Sequence, residues 1–204
     1  MNPFSIEHSK AVYGADFAAY AAAVLGLSAA VLLLSPREHW LANAALVLLG
    51  LVGWSIAEYA LHRFVLHGVR PFSRWHAEHH ARPLALISAP TVMSGALIAT
   101  LVFLPAFLLG GRWAAMALTL GVLAGYLAYA GVHHVTHHWR PANSWSKQRK
   151  LWHGLHHCRA QEGCCYGVST DLWDHVFGST ARPLSIRETA GFPSDQSNHG
   201  ASSN

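Results

Sequence analysis

With 204 residues, 52% hydrophobic and only 12% charged, the chain has room for one modest domain and too little charge for a solvated nucleic-acid-binding surface. Sixteen histidines outnumber the fourteen Lys and Arg and the ten Asp and Glu, so the prevailing polar chemistry is that of imidazole. The formal charge of +4 does not describe a basic domain, because only Arg37 and Arg112 lie in the turns between apolar runs, and the other twelve basic residues lie elsewhere.

Residues 1–16 form a polar lead of mixed charge, unlike a cleavable signal. Four apolar stretches follow at 17–35, 40–61, 87–110 and 113–132. As a helix, the first, FAAYAAAVLGLSAAVLLLS, would rise about 28 Å, close to the roughly 30 Å hydrocarbon thickness of a bilayer, and it has no polar face. The second carries Glu58 near its end, the third Pro105 and several small residues, and the fourth is uncharged, all compatible with packed membrane helices. Only SPREH separates the first two runs and GR the last two, so they read as two helical hairpins. With the N-terminus inside, the 62–86 connection and everything after 132 also lie inside, leaving Arg37 and Arg112 alone outside, as positive-inside bias requires. The expectation is an all-α integral membrane protein of four transmembrane helices, with one embedded domain over 17–180, a flexible tail over 181–204, and both termini cytosolic. Cys158, Cys164 and Cys165 are too few to staple a secreted scaffold, and their spacing is not that of a thiolate metal site.

Twelve histidines fall in four short groups: HRFVLH at 62–67, HAEHH at 76–80, HHVTHH at 133–138 and HGLHH at 153–157. His8, His39, His175 and His199 stand apart, and for His8, His39 and His199 ordinary interfacial hydrogen bonding suffices. Spacings of three and four bring imidazoles to one helix face, as metal ligation requires. His76, His79 and His80 have that spacing, and His153, His156 and His157 repeat it. His62 and His67, five apart, need a helix end or a bend to aim at one centre. In HHVTHH, His133 pairs with His137 and His134 with His138, and spacing alone does not choose between the pairs. The topology sets all four groups at one membrane face, where they would assemble into a dinuclear metal site. Burying this many imidazoles without metal or extensive hydrogen bonding would carry a large desolvation cost.

HRFVLH, WHAEHH, HHVTHH and LWHGLHH, followed by YGVSTDLWDHVFGS, resemble the fatty acid hydroxylase and sterol desaturase superfamily from about Glu58 to Ser179, nearest its fatty acid 2-hydroxylase-like branch. The resemblance implies a helical membrane enzyme with a cytosol-facing, histidine-rich diiron centre that uses dioxygen to hydroxylate an acyl lipid, a fatty acid or sphingolipid at the 2-position. It implies His62, His67, His76, His79, His80, His133, His137, His153, His156 and His157 as metal ligands, with His138 in reserve and His134 supporting or lining the site. Glu58, four residues before His62, would orient that ring or make an interfacial hydrogen bond, and Asp171 and Asp174 would orient histidines or bind basic side chains. His175 lies where the family pattern does not call for histidine. Zinc accepts the same ligands and would substitute in a preparation without supplying the redox cycle. No Gly-rich dinucleotide fingerprint accompanies the motifs, so electrons are expected from a separate electron-transfer protein and reductase. A sterol or carotenoid hydroxylase or desaturase is the nearest alternative, and a membrane metal transporter is the alternative from another class.

Overall fold

The structure, a computed structural model, describes residues 6–158 and 163–181. Among these the fold is helical without strands, apart from one isolated bridge between Glu7 and Ile87. The C-terminal tail lies outside the described residues except for Ala181.

Helix α1, Lys10–Ala29, opens on the Ser9 hydroxyl, which accepts from the Val12 amide at 3.3 Å, and continues through a π-helical turn at Ala30–Leu34. The helix therefore begins seven residues before the apolar run, because the serine cap satisfies amides that the polar lead would otherwise leave open. Helix α2, Trp40–Ala60, is likewise extended by a π turn, Leu61–Leu66. The short α3, Phe72–Ala81, precedes α4, Thr91–Ile98, which passes through a third π turn, Ala99–Phe103, into α5, Leu104–His138. Gly111 breaks that last helix with φ 74° and ψ −174°, a left-handed backbone that glycine adopts at no steric cost. Helices α6, Ser144–His156, and α7, Leu172–Val176, complete the described chain.

Three stretches are long and apolar enough to cross a membrane: Lys10–Leu34, Arg37–Leu66 and Thr91–His138. Their outward surface is aliphatic, with Leu33, Leu41, Leu101, Leu108 and Leu109 all exposed, an unfavourable surface in water and a suitable one in lipid. Inside, Tyr20, Ile98 and Leu123 form a buried cluster, joined by Leu27, Val102, Val122 and Tyr126. Ile98 and Leu123, on either side of Gly111 in the sequence, share that cluster. Helices α2 and α5 meet most closely where Gly50 faces Gly121. A β-carbon on Gly121 would lie on the Val47 carbonyl oxygen and 2.9 Å from the Gly50 Cα. Small residues there let two backbones touch, the usual device of helix pairs in lipid.

Candidate metal centre

The five-residue step from His62 to His67 is resolved by the π turn. In an α-helix residues five apart point in widely different directions, whereas an i→i+5 turn brings them nearly into line. His62 lies in Leu61–Leu66 and His67 caps it, with ring centroids 5.4 Å apart. Helix α3 presents His76, His79 and His80, the last turns of α5 present His133 and His137, and α6 presents His153 and His156, with His157 at its C-cap. The α6 start is fixed by a capping box in which Asn143 and Ser146 exchange hydrogen bonds.

These side chains gather into two adjoining groups. The first contains His62, His67, His76, His80 and His156, and the second His79, His133, His137 and His153; within each, one nitrogen per ring lies within 4.8 Å of all the others. Neighbouring Nε2 atoms in the first group are 2.9 to 3.1 Å apart: His80 to His76 2.9 Å, His62 to His76 3.0 Å, and His156 to both His67 and His80 3.1 Å. In the second, His137 Nε2 lies 2.8 Å from His153 Nε2, and His79 Nε2 3.1 Å from His133 Nε2. His157 falls outside the four but its Nε2 is 3.1 Å from that of His153, and its ring stacks on His80 of the first group at 4.1 Å. All ten histidines named as ligands by the resemblance are thus brought together.

The arrangement fits metal ions. A carbonyl oxygen only accepts, so His62 Nδ1 donates to the Tyr166 carbonyl at 2.5 Å and His156 Nδ1 to the Cys164 carbonyl at 2.8 Å. The Nε2 atoms of those rings therefore present free lone pairs, aimed at other imidazole nitrogens about 3 Å away, where a cation between the rings could be held by both. The rings outside the apolar spans are held neutral, the ligating state. Burial pushes His79 and His80 down to about 4 and His156 down to about 3, and drives His76 and His157 lower still.

Residues 163–170 hold this layer from outside, and two buried carboxylates fold them. Glu58 Oε1 accepts from the Val168 and Ser169 amides at 2.8 Å each, and its Oε2 accepts from the Ser169 hydroxyl. Asp174 accepts from the Tyr166 amide at 2.9 Å, the Gly167 amide at 2.8 Å, the Ser179 hydroxyl at 2.8 Å and the Trp152 indole at 3.2 Å. The loop carbonyls of Cys164 and Tyr166 are in turn the acceptors for His156 and His62. Of the two roles expected of Glu58, the hydrogen bonds fall to the loop amides and the Ser169 hydroxyl, while His62 Nδ1 is taken by the Tyr166 carbonyl, so Glu58 bears on that ring through the loop. The two carbonyls had no sequence signal, because backbone acceptors leave no mark on residue type.

The remaining expected residues lie elsewhere. His134 and His138 stack on each other at 4.5 Å, and His134 packs near Tyr13 and Phe17, on the face of α5 that turns away from both groups. His175 is exposed; its Nδ1 meets the Asp171 carbonyl at 2.9 Å and its ring stacks on Trp152. Asp171 takes the second of its expected roles, pairing with buried Arg149 at 2.9 Å.

A cavity of about 170 Å³ runs from the imidazoles into the helices. His76, His79 and His133 line it together with Tyr13, Phe17, Tyr20, Trp75, Tyr126 and Tyr129. Its one carboxylate, Asp16, accepts a hydrogen bond from the Thr91 hydroxyl.

Fold and site together define a helical protein of membrane type with two adjoining imidazole groups able to hold metal. A family model described as fatty acid hydroxylase matches residues 47–179, and the chain belongs to that family. It is 34% identical over 145 residues to the dihydroceramide fatty acyl 2-hydroxylase FAH2 of Arabidopsis thaliana, covering 66% of this chain and 60% of that protein. It is 31% identical over 145 residues to the fatty acid 2-hydroxylase of Rattus norvegicus, covering 65% of this chain and 38% of that protein. The chain thus spans less than two thirds of the length of these relatives. Its fold matches the solved structure of full-length scs7p, in which only the hydroxylase domain is visible, with a TM-score of 0.73 over 88% of this chain and 70% of that one, at 24% identity.

Proposed function

We propose that the chain is a membrane oxidoreductase that hydroxylates an acyl lipid at the carbon next to its carbonyl, using two iron ions held by the ten clustered histidines. The observation that carries this reading is a mostly apolar cavity that reaches both imidazole groups: His76 of the first and His79 and His133 of the second line it. The balanced reaction converts one C–H bond, one dioxygen, two electrons and two protons into C–OH and water, and the iron pair supplies the redox chemistry. The electrons come from a separate electron-transfer protein and its reductase.

The chain's own residues do the rest. The neutral rings offer lone pairs without a proton to displace, the 163–170 loop fixes two of them in the ligating tautomer, and the aromatic cavity wall excludes water from the carbon to be oxidised. The four-span, two-hairpin layout is supported by the length of Thr91–His138: as one straight helix its 48 residues would run about 72 Å, more than twice a bilayer core, and the break at Gly111 divides it. With termini and histidines cytosolic, Arg37 and Arg112 would face the other side.

The test is the full chain loaded with ferrous iron in lipid, supplied with a competent electron donor and labelled dioxygen. The expected product is a 2-hydroxy acyl lipid carrying one labelled oxygen atom. Oxidation only of sterols or carotenoids, or metal flux across the membrane without oxygen-dependent product, would overturn the assignment.

A further inference from the structure

The two imidazole groups differ in what stands behind them. In the five-histidine group, His62 and His156 are each held through Nδ1 by a loop carbonyl, at 2.5 and 2.8 Å. In the four-histidine group, the buried Nδ1 atoms of His79 and His153 have no hydrogen-bond partner among the described residues, and neither has that of the adjoining His157. An imidazole that ligates through Nε2 carries its proton on Nδ1, so an acceptor at that atom fixes the tautomer, aims the ring and raises its basicity; losing such an acceptor typically costs 10–100-fold in metal affinity. A buried Nδ1–H with no acceptor has none of these supports.

We propose that the two metal positions are inequivalent: the five-histidine position, anchored by the 163–170 loop, is filled first and held tightly, and the four-histidine position is filled last and lost first. Glu58 and Asp174 are the positioning residues of the tight site, acting through the loop carbonyls and touching neither metal nor substrate. The weaker position contributes two of the three histidines that line the lipid cavity, His79 and His133, so the labile metal is the one most exposed to substrate. A half-loaded protein would then keep the metal further from the lipid. This inference rests on the metal reading above.

The experiment titrates the metal-free full chain in lipid nanodiscs with ⁵⁷Fe(II) under anaerobic conditions, following bound iron by elemental analysis and Mössbauer spectra. The expected wild-type result is two steps at least tenfold apart in affinity, with one set of Mössbauer lines up to one equivalent and a second set after it. Asp174→Asn is the informative variant. Both Asp174 oxygens accept from donors, so an amide nitrogen on either side faces N–H or O–H groups and opens the loop. It should weaken the first step 10–100-fold and leave the second nearly unchanged. Ser179→Ala, which removes one of the four donors, should weaken the first step less and serves if Asp174→Asn does not fold. A single unresolved step in the wild type, or variants that weaken both steps equally, overturns the inference. Failure to bind iron at all overturns the metal reading itself, an outcome distinct from binding two irons alike.

Discussion

Glu58 offers a sharp test of how the outer layer supports the histidines. Its side chain is 3% exposed, and one of its oxygens accepts two backbone amides at 2.8 Å while the other accepts the Ser169 hydroxyl. Replacing it with Ala leaves the buried Val168 N–H and the half-buried Ser169 N–H unpaired, the first costing about 1–3 kcal/mol and the second less, so the metal-free protein should lose roughly 2–4 kcal/mol. Glu58→Gln behaves differently. The amide oxygen keeps both backbone donors, and the Ser169 hydroxyl can rotate to accept from the amide nitrogen; what is lost is the charge assistance that makes such bonds about twice as strong, on the order of 1–2 kcal/mol. Thermal unfolding of the three proteins in nanodiscs should rank them wild type, Gln, Ala. Hydrogen exchange at Val168 and Ser169 should accelerate strongly only in the Ala variant. Equal destabilisation by Gln and Ala, or unchanged exchange in the Ala variant, would show that the carboxylate does not hold the loop.

Gly121→Ala should destabilise the α2–α5 contact by about 1–3 kcal/mol, because the added methyl meets backbone that cannot yield, while Gly131→Ala in the same helix meets nothing within 4 Å and should be silent in the same thermal assay. His134→Ala and His138→Ala should leave metal content intact by elemental analysis, whereas His153→Ala should lower it; an equal loss in all three would refute the division of HHVTHH into inner and outer faces. Acid should destabilise the metal-free protein. Burial holds His79 and His80 near 4 in the folded state against about 6.5 unfolded, so between those values the unfolded chain binds more protons; stability is full above about pH 6.5, falls towards pH 4, and goes on falling below it because His156, His76 and His157 are held lower still. Melting temperatures across that window check the sign.

The membrane-type helices and the ten clustered histidines were legible in the sequence because both are repetitive signals: long apolar runs, and one residue type at helical spacings. Helix ends were less so. The first helix starts at Lys10 because Ser9 caps it, which the apolar pattern does not record, and the 62–67 interval gave notice of a bend without saying that it is a π turn. Glu58 and Asp174 were visible as residues but not in their roles, since both act on backbone amides more than a hundred or only seven to eight residues away, and no side-chain pattern names an amide.

The spacing of three and four carries more than a shared face. In an α-helix, residues four apart are offset by about 40° and adjacent residues by about 100°, so His76 and His80 aim together while His79 aims aside. That is the division the structure makes, with His76 and His80 in one group and His79 in the other. Helix α6 repeats it in mirror order: His153 belongs to the second group with His157 beside it, and His156 belongs to the first. Each of these helices therefore contributes histidines to both groups from one rigid element, and their separation is set by helix geometry rather than by loops. Rotating either helix would move ligands of both groups at once. The motif H-x-x-H-H is accordingly a ruler between the two imidazole groups, and it accounts for three histidines on α3 and two on α6 with a third at its C-cap.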